Sequence, residues 1–248
     1  MLYTLRIILV TFYFLAIAAI GTLLCLLRPF HPDNTRIFAL IYSKIGVKLL
    51  GIKLTVDKEV SNHIKETAVY VVNHQDNLDL FICGAAVPKR TVTMGKKSLK
   101  FLPLFGQLYW LAGNIFIDRN NKTSASATIE ASTNALLNEN TSIWVFAEGT
   151  RNRGQNMLPF KNGAFKMAIE AQVPIIPICV SSYSANLNLN QWQSGKAAIK
   201  TLPPISTQGL TAEDLETLKE KCWNEMMLTI ENLDNELGIK TERRELVS

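Results

Sequence analysis

The hydrophobic pattern divides the chain into an N-terminal apolar stretch and a longer part in which short apolar runs alternate with amphipathic segments. Residues 7–27 carry no charge, and as a helix they would be about 31 Å long, enough to cross the hydrocarbon core of a bilayer. Arg6 precedes this run, whereas Arg28, Arg36 and several lysines follow it. This asymmetry predicts that the C-terminal part of the chain lies on the cytoplasmic side of a membrane.

Residues 35–50 form a second predicted helix with two different faces. Cationic and small residues lie on one arc of a helical wheel, and large apolar residues lie mostly opposite. The first set is Arg36, Ser43, Lys44, Lys48 and Gly51, and the second is Ile37, Phe38, Ile41, Ile45, Leu49 and Leu50. This pattern favours a helix in the membrane surface, although a core helix of the globular domain would show a similar stripe. The first helix therefore either spans the bilayer or forms, with the second, a hairpin in one leaflet.

The remaining pattern predicts an α/β fold with a mixed, largely parallel central sheet flanked by helices. Strands are expected at residues 52–60, 68–72, 91–94, 113–119, 142–147, 173–180 and 197–202, and helices at 78–87, 123–138, 160–171 and 211–237. Residues 95–106 are expected to form a loop with a helix. Two prolines, Pro174 and Pro177, predict that their strand is at an edge or bulged. We therefore expect membrane-anchoring helices at residues 1–52 and a globular domain at 53–248.

The turn between the second predicted strand and the next helix carries the clearest candidate chemistry. His74 and Asp79 are five residues apart, so their side chains can meet only if the chain turns between them. A strand-to-helix turn allows this, with Asp76 or Asn77 available as the helix N-cap. A carboxylate that holds one nitrogen of the imidazole leaves the other free to take a proton from a hydroxyl. The alternative is that His74 caps the helix and Asp79 is a solvated helix residue.

A second signal is the position of polar residues at strand ends. His74, Arg119 and Glu148 each follow the carboxyl end of a predicted strand, where α/β sheets bind their ligands. The guanidinium groups of Arg119 and Arg151 suit phosphate. For an arginine at a strand end, the alternative is a surface salt bridge. For the Glu148-Gly149-Thr150 segment, the alternative is an ordinary turn. Since the chain has no nucleophile-elbow motif, the pattern favours direct activation of a substrate hydroxyl.

Composition narrows the classes of partner. The net charge of +5 and a pI of about 9.0 suit an anionic partner such as a membrane lipid, a nucleotide or a phosphate, and no nucleic-acid recognition motif is present. The four cysteines, Cys25, Cys83, Cys179 and Cys222, are scattered, which predicts buried free thiols in a reducing compartment. With only three histidines in the chain, a histidine-based metal cluster has little support.

Four blocks of the sequence, in order, resemble the glycerolipid acyltransferase family, and within it the bacterial 1-acyl-sn-glycerol-3-phosphate acyltransferases. The blocks are residues 73–79 (NHQDNLD), residues 113–119 (GNIFIDR) preceded by Lys100-x-x-Pro103-x-x-Gly106, residues 146–151 (FAEGTR) and residues 173–177 (VPIIP). The resemblance covers nearly the whole chain. The sequence departs from the family's pattern at Ala147, where proline is usual, and at Asp76, where many relatives have serine or asparagine.

The resemblance implies transfer of a fatty acyl group to the sn-2 hydroxyl of lysophosphatidic acid at the cytoplasmic face of the bacterial inner membrane. The donor would be the thioester of acyl-CoA or acyl carrier protein, and the family needs no metal or other cofactor. The implied roles are His74 as general base, Asp79 as its orienting carboxylate, Lys100, Arg119, Glu148, Gly149, Thr150 and Arg151 as the glycerol-phosphate site, and Val173, Pro174, Ile175, Ile176 and Pro177 as the acyl-donor side.

Three other functions stay open at this point. A sister acyltransferase would use another acceptor, such as glycerol 3-phosphate, a lysophospholipid or a lyso-ornithine lipid. A membrane-anchored lipid-binding protein would need no turnover, and a thioesterase or lipase would transfer the acyl group to water. The presence of both a base and phosphate-binding residues favours acyl transfer to a phosphate-bearing acceptor.

Overall fold

A computed structural model describes residues 1–57, 59–60, 63–64, 66–118 and 121–239, and shows one seven-stranded sheet with helices on both faces. The strands are β1 (Ile52–Asp57), β2 (Val69–Val72), β3 (Thr91–Lys96), β4 (Ile115–Ile117), β5 (Ser142–Phe146), β6 (Ile175–Val180) and β7 (Gly195–Thr201). The α-helices are α1 (Leu2–Leu27), α2 (Asp33–Leu49), α3 (Asp79–Ile82), α4 (Phe105–Leu111), α5 (Lys122–Asn138), α6 (Gly163–Ala171) and α7 (Leu215–Leu237). These elements confirm the predicted fold class and nearly all the predicted segments.

The strand order is β1-β7-β6-β2-β5-β3-β4. The five strands from β6 to β4 run parallel to one another, whereas β7 pairs with β6 in the antiparallel sense and β1 runs parallel to β7. The carboxyl ends of β2, β5 and β6 therefore meet at one edge of the sheet. We call this edge the carboxyl edge.

The prediction that the strand with two prolines is at an edge is wrong, because β6 lies inside the sheet between β7 and β2. The reason is an interruption on the β7 side. The β6–β7 ladder begins at Ile178, one residue after Pro177, while Ile175 pairs with Ile205 beyond the end of β7. Pro177, which has no N–H to donate, accepts a hydrogen bond there from the backbone N–H of Leu202. The strand is therefore irregular, as the prolines predict, but only in its pairing with β7.

The sheet separates two hydrophobic cores. On one face, α6 and α7 pack through side chains such as Phe165, Met167 and Met226. The stripe predicted for the last helix is the face that packs, since Leu218, Cys222, Met226, Ile230 and Leu233 are all buried. On the other face, α1 and α2 share a core with the sheet. The segment 1–52 is thus packed continuously onto the rest of the chain.

α2 packs against the domain through a face that includes small residues. Ser43 and Gly46 are buried together with Phe38, whereas Ile37 and Ile45 are exposed. Close packing explains the difference, because a Cβ at position 46 would lie 2.2 Å from the ring of Phe81. The absence of a side chain at Gly46 therefore lets α2 approach α3, which carries Phe81, and Ile37 and Ile45 stay exposed.

α1 is the one described helix that is long and apolar enough to cross a membrane, and most of its side chains are exposed. It nevertheless contacts the rest of the protein near both ends. The Arg6 guanidinium donates to the carbonyls of Leu189 and Trp192 at 3.0 and 2.7 Å. Near the other end, the Thr22 hydroxyl donates to the Ala18 carbonyl of its own helix at 2.7 Å and lies 3.3 Å from the Leu104 carbonyl. The helix therefore lies along the protein.

Candidate active site

The site is built on the turn that follows β2, at the carboxyl edge. β2 consists of four fully buried residues and is paired on both sides, so its end has a fixed position. The chain leaves β2 at Asn73, turns through His74 and enters α3 at Asp79. Asp76 helps to close this turn, since its Oδ1 accepts a hydrogen bond from the backbone N–H of Leu78 at 3.1 Å.

The turn brings His74 and Asp79 together. His74 Nδ1 lies 2.6 Å from Asp79 Oδ2, and the side chains are 16% and 2% exposed, respectively. Because a carboxylate can only accept, the proton of a neutral imidazole is placed on Nδ1, which leaves a lone pair on Nε2. Among the described residues, no hydrogen bond involves Nε2. The imidazole is therefore oriented on one side and available on the other.

Asp79 is held by more than His74. Its Oδ2 also accepts from the backbone N–H groups of Gln75 and Asp76 at 2.7 and 3.1 Å. Its Oδ1 accepts from the hydroxyl of Tyr183 at 2.7 Å. These donors come from both the turn and the segment after β6, so they fix the orientation of the carboxylate.

The structure buries Glu148, which the resemblance placed in the phosphate site. Its Oε1 accepts from the backbone N–H of His74 at 2.7 Å, and its Oε2 accepts from that of Leu158 at 2.8 Å. The side chain is 1% exposed, and burial raises its pKa to about 7 despite these two donors. Glu148 therefore holds the backbone at His74 and at Leu158, and its assignment to the phosphate site stays a prediction.

Two polar residues next to His74 fasten the turn to the neighbouring strands. Asn73 pairs with both backbone groups of Val180, donating to its carbonyl at 2.9 Å and accepting from its N–H at 2.8 Å. Gln75 donates to the carbonyl of Ser181 at 2.8 Å. From the β5 side, the backbone N–H of Asn152 donates to the carbonyl of His74 at 2.9 Å. His74 therefore sits on a backbone that is hydrogen-bonded on both sides.

An aromatic ring packs against one face of the imidazole. Phe146, the last residue of β5, stacks on His74 with ring centroids 4.1 Å apart and an interplanar angle of 18°. The stacking limits rotation of the imidazole and covers one of its faces.

The loop after β5 carries the candidate phosphate ligands. Gly149 has a φ of +71°, a conformation that favours glycine, and a Cβ there would lie 3.1 Å from Cγ of Lys161. Thr150 and Arg151 are exposed. Among the described residues, neither the Thr150 hydroxyl nor the Arg151 guanidinium makes a side-chain hydrogen bond or ion pair, so both can meet a ligand.

The other predicted phosphate ligands, Lys100 and Arg119, lie earlier in the chain. Lys100 is exposed, and its Nζ lies 4.7 Å from the ring centroid of Phe101. Arg119 lies outside the described residues, so its assignment stays a prediction. Asp118, immediately before it, forms an ion pair with Lys97 at 3.0 Å.

The block predicted to line the acyl-donor side begins at the opposite end of the sheet. Ile175 and Ile176 are fully buried and pack into the two cores, one on each face. Ile175 is paired with Val69 at the start of β2, three residues before the end of that strand. Val173 and Pro174 are partly exposed in the connection from α6. The block therefore packs the sheet, and its contact with the acyl donor stays a prediction.

Sequence reasoning missed four residues that build the site: Asn73, Gln75, Phe146 and Tyr183. The rule that singled out His74 and Glu148 also applies to Tyr183, which follows the carboxyl end of β6. Asn73 and Gln75 lie inside the first block, but only the structure shows their partners. In the part of the chain that the structure describes, no group of three His, Cys, Asp or Glu side chains is placed to hold a metal ion.

Comparison with known proteins gives a consistent result. Residues 53–181 match the family model described as Acyltransferase. The 1-acyl-sn-glycerol-3-phosphate acyltransferase of Escherichia coli strain K12 is 40% identical over 96% of this chain and 97% of its own length, and that of Haemophilus influenzae is 41% identical over 96% and 99%. The human 1-acyl-sn-glycerol-3-phosphate acyltransferase alpha is 36% identical over 90% and 78%.

A solved structure has the same fold. The crystal structure of the 1-acyl-sn-glycerophosphate acyltransferase from Thermotoga maritima aligns with a TM-score of 0.71, covering 94% of this chain and 98% of that one, at 21% identity. The family model covers more than half of the chain and includes the His74 turn and the loop after β5. This protein therefore belongs to the acyltransferase family.

Proposed function

We propose that this protein transfers a fatty acyl group from a thioester to the sn-2 hydroxyl of 1-acyl-sn-glycerol 3-phosphate and so makes phosphatidic acid. Relatives of 40% identity over almost the whole chain carry the name of this activity. The observation that carries the mechanism is the 2.6 Å contact between His74 and Asp79, with Nε2 of the imidazole left available at the carboxyl edge.

In the proposed reaction, His74 acts as a general base. Nε2 accepts the proton of the sn-2 hydroxyl as its oxygen attacks the carbonyl carbon of the thioester. The new ester bond forms, the carbon–sulfur bond breaks, and the proton passes from His74 to the departing thiolate. Asp79 stabilises the imidazolium that forms between these two proton transfers. No covalent acyl-enzyme is needed, which agrees with the direct activation expected from the sequence.

The acceptor phosphate would bind to the loop after β5. Gly149 lets the backbone approach closely, Thr150 supplies a hydroxyl, and Arg151 supplies a guanidinium that is unpaired among the described residues. Arg119 and Lys100 complete the proposed set. The donor is acyl-CoA or acyl carrier protein, and the net charge of +5 suits the acidic groups of either one.

We further propose that α1 enters one leaflet of the cytoplasmic membrane and does not span it. Its contacts with the domain near both ends, through Arg6 and Thr22, favour a helix that lies along the protein with its apolar face in lipid. Exposed apolar residues beyond its C-terminal end, including Phe101, Leu102 and Trp110, extend that face. Nearby lysines, such as Lys100, suit anionic headgroups on the cytoplasmic side.

Acyl transfer by the full-length protein in detergent or vesicles tests the proposal. With lysophosphatidic acid and labelled acyl-CoA or acyl carrier protein, the wild type should form phosphatidic acid. His74→Ala should lower kcat by about 10²–10⁴-fold, because the base is lost. His63→Ala removes an exposed histidine outside the site and serves as the matched control.

Two results would count against the proposal, each in a different way. If the wild type acylates only another acceptor, the base mechanism survives and the substrate is wrong. If His74→Ala keeps full activity, the contact with Asp79 is structural and the mechanism fails. Release of free fatty acid without acceptor would instead indicate a hydrolase.

A further inference from the structure

A buried tyrosine completes the contacts of Asp79. Tyr183 lies just after β6, is 0% exposed, and donates its hydroxyl to Asp79 Oδ1 at 2.7 Å. Oδ1 is the carboxylate oxygen that does not face the imidazole, since His74 Nδ1 lies beside Oδ2. Oδ1 also lies 3.9 Å from the Cys83 thiol, which is a weak donor, so the strong side-chain partners of the two oxygens are a phenol and an imidazole.

We propose that Tyr183 is a positioning residue for acyl transfer: its hydroxyl fixes the plane of the Asp79 carboxylate and thereby the direction in which His74 Nε2 points. A carboxylate held only by groups on Oδ2 could rotate about its Cβ–Cγ bond, and the imidazole would turn with it. A donor on Oδ1 prevents this rotation. The inference rests on the proposed role of His74 as the base.

The direction of the hydrogen bond supports this arrangement. Burial and the neighbouring Asp79 carboxylate raise the pKa of Tyr183 well above its ordinary value. The phenol therefore keeps its proton and remains a donor to Asp79.

Tyr183 is itself held in place from two directions. The backbone N–H of Ser182 donates to Asp234 of α7 at 2.7 Å, and the carbonyl of Ser181 accepts from Gln75 of the catalytic turn at 2.8 Å. The segment that carries the phenol is thus bonded both to the long C-terminal helix and to the turn that carries His74.

Tyr183→Phe separates positioning from packing, because it removes the hydroxyl and keeps the ring. With lysophosphatidic acid and acyl-CoA, or the acyl carrier protein thioester, kcat should fall about tenfold, since a hydrogen bond to a buried charge is lost. KM for both substrates should stay within about twofold of the wild type, because the phenol is fully buried behind Asp79 and out of reach of a substrate. Tyr70→Phe, another buried tyrosine but at the opposite end of β2, should leave both parameters unchanged.

The pH dependence gives a readout that packing would not move. Without its donor, Asp79 carries more negative charge toward the imidazole and stabilises the imidazolium. The acidic limb of the kcat profile should therefore move to higher pH in Tyr183→Phe. The other titratable groups that face this pair are the Cys83 thiol, 3.9 Å from Asp79 Oδ1, the Asp76 carboxylate and Glu148, and all three are unchanged in the variant.

A double-mutant cycle with Asp79→Asn decides the route of the effect. If Tyr183 acts through Asp79, adding Tyr183→Phe to Asp79→Asn should lower kcat no further. The inference would be overturned if the losses in kcat of the two single variants multiply in the double variant. An unmoved pH profile or an unchanged kcat in Tyr183→Phe would also overturn it. These results differ from failure of the base proposal, which would show as retained activity in His74→Ala.

Discussion

The two sides of the candidate site differ in how much of their geometry exists before a substrate binds. On the base side, His74 and Asp79 are bonded to each other, to backbone N–H groups and to buried side chains. On the phosphate side, Thr150 and Arg151 are exposed, and their side chains have no hydrogen-bond partner among the described residues. One side is built by the protein, and in the proposed function the other side is completed by the acceptor.

This difference separates two kinds of kinetic effect. A prearranged base acts mainly in the transition state, so changes there should appear in kcat. An exposed cation that meets the phosphate in both the ground state and the transition state contributes uniform binding, so changes there should appear in KM. Substitutions on the two sides should therefore have distinguishable kinetics.

The largest expected effect is that of Asp79→Asn. The amide can present an N–H to Nδ1 and favour the wrong tautomer of His74, so kcat should fall by about 10²–10⁴-fold with little change in either KM. Steady-state kinetics of the purified protein measure this. Asp57→Asn, at the opposite edge of the sheet, should behave as the wild type. A raised acceptor KM with unchanged kcat would place Asp79 on the phosphate side.

The next effect concerns stability at the base side. Glu148 has a folded-state pKa of about 7, above its ordinary value of 4.5. Between these values the folded protein keeps a proton that the unfolded chain has released, so raising the pH through this window favours unfolding. The wild type should lose roughly 3 kcal/mol of unfolding free energy across it. Thermal unfolding followed by fluorescence from about pH 4.5 to 8 would show this fall.

Glu148→Gln is the matched variant for that measurement, because a glutamine does not titrate. Its Tm should be lower, since the amide cannot accept from both N–H groups that Glu148 binds, and should change less with pH than that of the wild type. Equal pH dependence in the two proteins would show that another group is responsible.

A smaller effect is expected on the phosphate side. Arg151→Ala should raise KM for lysophosphatidic acid about tenfold, with kcat and the donor KM nearly unchanged, because one charge-assisted contact is lost. Initial rates at varied acceptor concentration measure this, and the donor KM is the internal control. A fall in kcat alone would mean that the guanidinium acts in the chemical step.

The smallest effect is that of Gly149→Ala. The positive φ and the nearby stem of Lys161 would strain an added Cβ by about 1 kcal/mol, so the acceptor KM should rise about fivefold through a shifted loop. Gly209→Ala is the control, since Gly209 also has a positive φ but lies away from the site, and an added Cβ there would have no atom within 4 Å. If Gly149→Ala and Gly209→Ala have the same KM for the acceptor, the loop after β5 does not contribute to acceptor binding.

Much of the fold was predictable because its signals are local. Short apolar runs such as Val69–Val72 and the stripe from Leu218 to Leu233 are determined by sequence neighbours, and the structure confirms both. The position of the strand with Pro177 was not predictable. It depends on where β7 ends, and that is set by residues about 25 positions further along the chain.

The part of the candidate site that lies within a single turn of the chain was predictable from the sequence. The meeting of His74 with Asp79 follows from a strand-to-helix turn, whereas the contact between Tyr183 and Asp79 joins residues 104 positions apart. Glu148 was placed in the phosphate site because the family resemblance implies that role, and only the tertiary structure shows its carboxylate turned toward the His74 backbone. Likewise, an arginine before an apolar run indicates topology, but its carbonyl partners at residues 189–192 are visible only in the fold.

The most direct test of the difference between the two sides uses a pair of acceptors that differ only in the phosphate. Acyl transfer to lysophosphatidic acid and to the monoacylglycerol of the same chain would be measured for the wild type, His74→Ala and Arg151→Ala. We expect His74→Ala to lower kcat/KM for both acceptors by the same factor, and Arg151→Ala to lower it about tenfold for lysophosphatidic acid alone. Equal losses on both acceptors in Arg151→Ala, or a His74→Ala variant that spares monoacylglycerol, would contradict the division of the site into a prearranged base and a phosphate-binding loop.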